Sequence, residues 1–160
     1  MASFFAQEFY KEIKIFLKKI ESFYQNNLIS VVIFGSGGKG DITTSSDVDL
    51  FIVIKKSDLP FRKRITEFWE KVGDELNVKN FPLPVSPLIF TESEAKKFKP
   101  LYLDMLEGCL ILYDKNNFIQ KILKKVEKLL KENEIIRYQL KNKVYWRIGN
   151  EERLNQRLSF

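Results

Sequence analysis

The sequence predicts an α/β (α+β) fold, a mixed sheet flanked by helices, on three observations. Two continuous apolar, β-branched runs of strand length, LISVVIF at 28–34 and VDLFIVI at 48–54, read as strands buried on both faces. Segments whose apolar residues recur every three or four positions stand on either side of them, the pattern of helices with one buried stripe. The 160 residues, 44% of them hydrophobic and 14 of them phenylalanine, suffice for a sizeable core, which excludes a disordered chain.

Each element follows from local pattern. Over residues 3–26, Phe9, Ile13, Phe16, Ile20 and Phe23 line one face of a helix that Asn26 and Asn27 end. The strand 28–34 runs into a glycine-rich loop, and the strand 48–54 follows it. Ser57, Asp58 and Pro60 are start signals for a helix with Phe61, Ile65, Phe68, Trp69, Val72 and Leu76 on its apolar face. The three prolines of PLPVSPLIF restrict the next strand to about 85–90 and place it near a sheet edge. Thr91 and Glu94 fit a capping box for a short helix. Pro100 opens another, carrying Leu101, Leu103, Met105 and Leu106 and breaking near Gly108. ILYD leads to a turn at 115–117, after which Phe118, Ile119, Ile122, Leu123, Val126, Leu129 and Leu130 define a strongly amphipathic helix. Its other face carries Lys121, Lys124, Lys125, Lys128 and Lys131, as a surface helix normally does. IIRYQLKNKVYWRI at 135–148 reads as short strands with a hairpin at Asn142, and the last dozen residues, being polar, are expected to be loose.

Composition removes several kinds of chemistry. There is no histidine, which excludes Ser-His-Asp and Cys-His catalysis and argues against zinc. The single cysteine, Cys109, stands among Met105, Leu106, Leu110 and Ile111 and reads as a buried, inert thiol. Acid–base and metal work falls to carboxylates and lysines. The formal charge of +6 suits an anionic partner such as a nucleotide or RNA. No apolar run reaches the roughly 18 residues of a membrane span. The opening MASFFAQEFYKEIK carries acidic residues where a secretory leader has none, so a cytoplasmic protein is expected.

The glycines at 35, 37 and 40 match the G-x-G-x-x-G of dinucleotide-binding folds, but that reading fails. Asp47 stands seven residues past Gly40 and the second strand starts at once, leaving no room for a crossover helix. A P-loop fails too, because Asp41-Ile42 follows Gly40 in place of Lys-Ser/Thr. Gly35-Ser36 at the end of a buried strand instead aims backbone N–H groups and a hydroxyl at one point, and Lys39 can add a charge. Asp47 and Asp49, two apart, share one face of a strand. Paired carboxylates facing a phosphate cradle outline a site for metal-dependent phosphoryl or nucleotidyl transfer.

Gly35-Ser36, ten residues, then Asp47-Val48-Asp49 resembles without a gap the signature of the DNA polymerase β-like nucleotidyltransferase superfamily, above all its small stand-alone minimal members in archaea and bacteria. Ser46 before the first aspartate and the aliphatic run after the second also fit. The resemblance is sharp over 31–54, extends more loosely over 1–92, and is soft beyond. With no linker long enough to split the chain, a nucleotidyltransferase core is expected over 1–112, with a C-terminal helix and short strand extension, 113–160, packed on the same domain. The resemblance implies that Gly35, Ser36, Lys39, Gly40 and Ser46 hold an NTP, expected to be ATP. It implies that Asp47 and Asp49 are the catalytic residues and ligate Mg²⁺ or Mn²⁺. The reaction would move an NMP from the NTP to a hydroxyl on a protein, RNA or small molecule. In the group it resembles, the theme is an antitoxin that modifies a tyrosine of a partner HEPN toxin.

One feature departs from the superfamily. A third carboxylate is expected on the next strand, but that strand is VSPLIF and the aligned position is Ser86 or a neighbour. Glu92 or Glu94 could swing in, although the capping box already accounts for Glu94, and Asp104 is a remoter substitute. The alternative is a non-catalytic nucleotide- or RNA-binding relic acting through a partner. Arg137, Tyr138, Lys141, Lys143, Tyr145, Trp146 and Arg147 interleave basic and aromatic residues as single-strand RNA surfaces do, and equally as paired strands do.

Overall fold

The computed structural model describes residues 4–40, 46–73, 84–132, 134–141 and 143–158. Helix α1 (Phe4–Tyr24) leads through a 3₁₀ turn to β1 (Leu28–Phe34), α2 (Gly35–Lys39) and β2 (Val48–Ile54). Then come α3 (Phe61–Phe68), a π-helical turn at Trp69–Gly73, β3 (Val85–Thr91), α4 (Glu92–Ala95) and α5 (Leu101–Glu107). β4 (Leu110–Asp114), α6 (Phe118–Lys131), β5 (Ile135–Leu140), β6 (Lys143–Ile148) and α7 (Glu151–Leu158) complete the chain.

Four strands form a mixed sheet in the order β3-β2-β1-β4. β1 is antiparallel to both β2 and β4, whereas β2 and β3 run parallel. The two strands predicted to be buried on both faces are the two central ones, and β3 with its Pro87 lies at an edge as its prolines require. Alternation along β2 splits the core into two layers. Val48, Leu50, Ile52 and Ile54 pack against Phe9, Ile13, Phe16 and Ile20 of α1 and Phe68 of α3. Phe51 and Val53 face the other way, toward Tyr102 and Leu103 of α5 and Ile119, Ile122 and Val126 of α6. Asp49 has the parity of Phe51 and Val53, so it opens toward the α5 side.

Polar groups inside the sheet frame are paired. The fully buried Ser30 hydroxyl donates to Asp114 Oδ1 at 2.6 Å, and the same oxygen accepts the Ile119 N–H at 2.9 Å, joining β1 to the start of α6. Arg64 on α3 is only 3% exposed. Its guanidinium donates to the Leu59 and Ile89 carbonyls (3.0 and 2.8 Å) and grips both Glu94 oxygens at 2.6 and 2.7 Å. Glu94 also accepts the Thr91 N–H at 2.8 Å, and its own N–H donates to the Thr91 hydroxyl at 3.4 Å, completing the expected capping box.

Three readings change. The predicted helix from 61 is α-helical only to Phe68 and then passes through the π turn, while Leu76 lies outside the described residues. Cys109 is half-buried, although burial still pushes its thiol pKa up, away from a reactive thiolate. The C-terminal segment is not loose. α7 buries Leu154 and Leu158, one turn apart, and Arg157 pairs with Glu132 and, at 3.4 Å, with Glu134. Two leucines at helical spacing in a short polar segment find a face only because α6 supplies one. β5 and β6 form the expected hairpin around Asn142, itself outside the described residues, as a separate two-stranded sheet.

Candidate active site

β1 passes into α2 without a linker, so residues 35–39 sit directly on the strand end. Gly35 adopts φ +67°, and a Cβ there would collide with the Asp49 carboxylate. Any other residue would meet both left-handed strain and that oxygen. At Gly38 a Cβ would lie 2.7 Å from the Ile33 carbonyl and 2.8 Å from Cys109 Cα, so α2 lies against the α5–β4 junction only because the side chain is missing. Gly40 ends α2 with left-handed backbone, its N–H donating to the Ser36 carbonyl. Gly35→Ala is therefore expected to destabilise the fold by about 1–3 kcal/mol, the usual penalty for left-handed backbone. It should also displace Asp49. Chemical denaturation together with nucleotide titration would separate the two effects.

Asp49 pairs with Phe34 on β1 and with Ser86 on β3. It is half-buried, and its carboxyl pKa is raised above the ordinary value, first by burial, then by the charges of Asp47 and Asp104. Asp47 is exposed, just before β2, where the Val48 N–H donates to the Pro84 carbonyl at 2.8 Å. Ser46 is half-buried beside it. The structure thus brings Asp47, Asp49 and the Gly35-Ser36 turn to one end of β1 and β2. The Lys39 ammonium is held 3.0 Å from Glu107, which also meets Arg137 at 3.5 Å, so its charge is already balanced at the rim.

The acids proposed as substitutes on the β3 side are ruled out by position. Ser86 lies beside Asp49, but Glu92 follows Thr91, which pairs with Ile54 at the opposite end of β2. Six residues of strand separate Ser86 from Glu92, about 20 Å at 3.3 Å per residue. Glu92 is engaged by Lys96 at 2.8 Å, and Glu94 by Arg64. Beyond Asp47, the acid whose charge helps to raise the Asp49 pKa is Asp104, the remoter substitute in the sequence reading. It stands on α5 beside the buried Tyr102, Leu103 and Met105, only partly sheltered from solvent, and that partial burial and the charge of Glu107 raise its pKa. The available signal was an acid on an otherwise apolar helix; its nearness to Asp49 needed the fold. Among the described residues no three such side chains cluster tightly enough to hold one metal ion together. Asp47 and Asp49 remain an all-oxygen, doubly acidic donor pair whose repulsion a hard cation would relieve, which suits Mg²⁺.

A family model described as "Polymerase beta, Nucleotidyltransferase" matches residues 18–104, more than half of the chain. The chain belongs to this nucleotidyltransferase family. The "Putative protein adenylyltransferase MJ1305" of Methanocaldococcus jannaschii is 30% identical over 121 residues, covering 72% of this chain and 79% of that protein. From the same organism, the "Putative protein adenylyltransferase MJ0141" is 30% identical over 96 residues, covering 60% of this chain and 89% of that protein. A crystal structure of a toxin-antitoxin with AMP-PNP superposes with a TM-score of 0.50 at 16% identity, covering 75% of this chain and 91% of that one. At that identity the likeness is one of fold. This nucleotidyltransferase has, among its described residues, no helix long and apolar enough to cross a membrane.

On the hairpin, Tyr138 and Tyr145 stack across the strands with ring centroids 5.6 Å apart. Trp146 packs against the core beneath Arg137. The aromatic residues therefore serve cross-strand and core packing, and the two tyrosines remain 48% and 40% exposed.

Proposed function

We propose that this nucleotidyltransferase moves the AMP group of ATP to a hydroxyl of a protein, acting in the cytoplasm on a HEPN-type partner as an antitoxin. The observation that carries the transfer is the half-buried Asp49, repelled by Asp47 and Asp104 and set against a glycine turn. The names of the two archaeal relatives support a protein acceptor, and the toxin-antitoxin fold neighbour supports a partner.

Asp47 and Asp49 would hold Mg²⁺ (or Mn²⁺), which when bound supplies positive charge to the phosphates. Gly35 and Ser36 present backbone N–H groups and a hydroxyl to the triphosphate, and Gly40 and Ser46 frame that turn. Lys39 reaches a phosphate by exchanging its bond to Glu107. The acceptor oxygen attacks the α-phosphorus, the bond to the pyrophosphate oxygen breaks, and pyrophosphate leaves with that electron pair. The acceptor proton goes to Asp104, whose raised pKa makes it a better base than an ordinary aspartate. The uncharged Ser86 beside Asp49 favours a second reading, a nucleotide-binding relic that acts through a partner without transfer.

Transfer of label from α-labelled ATP to a HEPN-type protein tests both readings. The wild type should label the acceptor. Asp104→Asn should slow labelling by about 10² to 10⁴, the usual loss for a general base. Ser86→Asp should raise turnover, because position 86 shares the face of Asp49. Labelling that survives Asp47→Asn would sink the mechanism; bound ATP with no labelling by any variant would select the relic.

A further inference from the structure

A pocket of about 300 Å³ opens at the end of the sheet away from the transfer site, beneath the start of α6. Ile29 and Phe118 supply its apolar surface, and Lys55, Lys96, Lys115 and Lys121 stand around it with a single acid, Glu92. Ile29 lies at the start of β1 and Phe34 closes it beside Gly35, so the pocket and the end of β1 are about 17 Å apart at 3.3–3.4 Å per residue.

The four lysines come from four places: the end of β2, the end of α4, the 3₁₀ turn before α6, and the first turns of α6 itself. Glu92 neutralises Lys96 at 2.8 Å. Among the described residues no ion pair engages Lys55, Lys115 or Lys121. Lys55 and Lys121 are exposed and Lys115 is half-buried around one concavity, and an anion seated there would offset their mutual repulsion. A surface helix explains Lys121, but Lys55, Lys96 and Lys115 line the same hollow from three other places in the chain.

We propose that this pocket is a second site, separate from the transfer centre, that binds a phosphate-bearing ligand. The lysines take the phosphate as point charges, and Ile29 and Phe118 take an apolar or aromatic portion. The volume is at the lower end of the range for ligand pockets, enough for a mononucleotide and not for a larger cofactor. One phosphate chemistry has two sources here: a free nucleotide, or a nucleotide of a single-stranded RNA continuing along Lys124 and Lys128 of α6.

The test is calorimetric titration with inorganic pyrophosphate in EDTA at low salt, where screening is weak. Without a divalent ion the acidic transfer centre repels pyrophosphate, so heat reports on the lysine pocket. The wild type should bind one equivalent. Lys121→Ala should weaken binding about tenfold, as loss of one charge-assisted bond does. Lys115→Glu with Lys121→Glu should abolish it at an unchanged melting temperature, and Ser36→Ala with Lys39→Ala, which removes the phosphate cradle of the transfer centre, should leave it unaltered. AMP binding with the same lysine dependence assigns a free nucleotide. Tighter binding of a ten-nucleotide oligouridine that is lost in Lys124→Glu/Lys128→Glu assigns RNA. No heat from the wild type, or equal heat from the double variant, overturns the site.

Discussion

Asp49→Asn should lower nucleotide transfer by about 10³-fold or more and at the same time raise the melting temperature of the metal-free protein. The loss follows because one of the two carboxylates proposed to hold the metal becomes neutral, forfeiting several kcal/mol of transition-state charge stabilisation at about 1.4 kcal/mol per decade of rate. The gain follows from the raised pKa of Asp49, caused by burial and by Asp47 and Asp104. Between its ordinary value and that raised value the native state binds more protons than the unfolded chain, so stability falls as pH rises through this window. Above the window the wild type carries an ionised carboxylate that the fold disfavours, and asparagine removes it. The stability difference between wild type and variant should shrink as the pH is lowered past the raised value. Saturating Mg²⁺ with ATP should reverse the order of melting temperatures, since only the wild type gains ligand stabilisation. A variant that melts lower than the wild type at neutral pH without metal would show that Asp49 is structurally supported and contradict the site.

Arg64→Ala should be the most destabilising single change outside the hydrophobic core. The side chain is 3% exposed, donates to two carbonyls and holds both oxygens of Glu94. Its removal leaves the Ile89 carbonyl and the partly exposed Glu94 without their donor, costing about 1–3 kcal/mol for the buried group alone, a sizeable part of the roughly 5–15 kcal/mol that holds a domain together. Lysine should not rescue it, because an ammonium cannot grip two carboxylate oxygens in one plane. Glu94, held down at about 2 by its bonds to Arg64 and Thr91, ties this bridge to pH. Its folded pKa lies below the unfolded one, so its contribution is complete above the ordinary value of 4.5 and is lost as pH falls toward about 2. Partial exposure of Glu94 trims the size of that limb. Urea denaturation across pH 2–6 should show the decline in the wild type and a flatter profile in Glu94→Gln. An Arg64→Ala protein with unchanged stability would mean that the bridge contributes nothing.

The transfer site and the Arg64 clamp differ in how much of each lies in local sequence. Asp47, Asp49 and Gly35-Ser36 lie within one short stretch, so the spacing of the chain already brings them together. In the sequence, Arg64 is one of several basic residues on a helix. Its partners are Leu59, Ile89 and Glu94, and only the packing of α3 against the end of β3 makes it a buried clamp. The same packing takes Glu94 out of contention as a catalytic acid.

Sequence alone determined the two buried central strands, the amphipathic α1 and α6, the capping box at Thr91 and the contiguous Gly-Ser and Asp-x-Asp pair. All of these rest on period, propensity or spacing within a few residues. Tertiary structure decided that the charge of Asp104 reaches Asp49, that Ser86 shares its face, and that Leu154 and Leu158 have a core to enter. It also decided that lysines from four elements surround one hollow. Each of these is a juxtaposition between elements far apart in the chain. The parallel register of β3 on β2 and the docking of α5 and α6 on one sheet face set it, and no local pattern encodes that register.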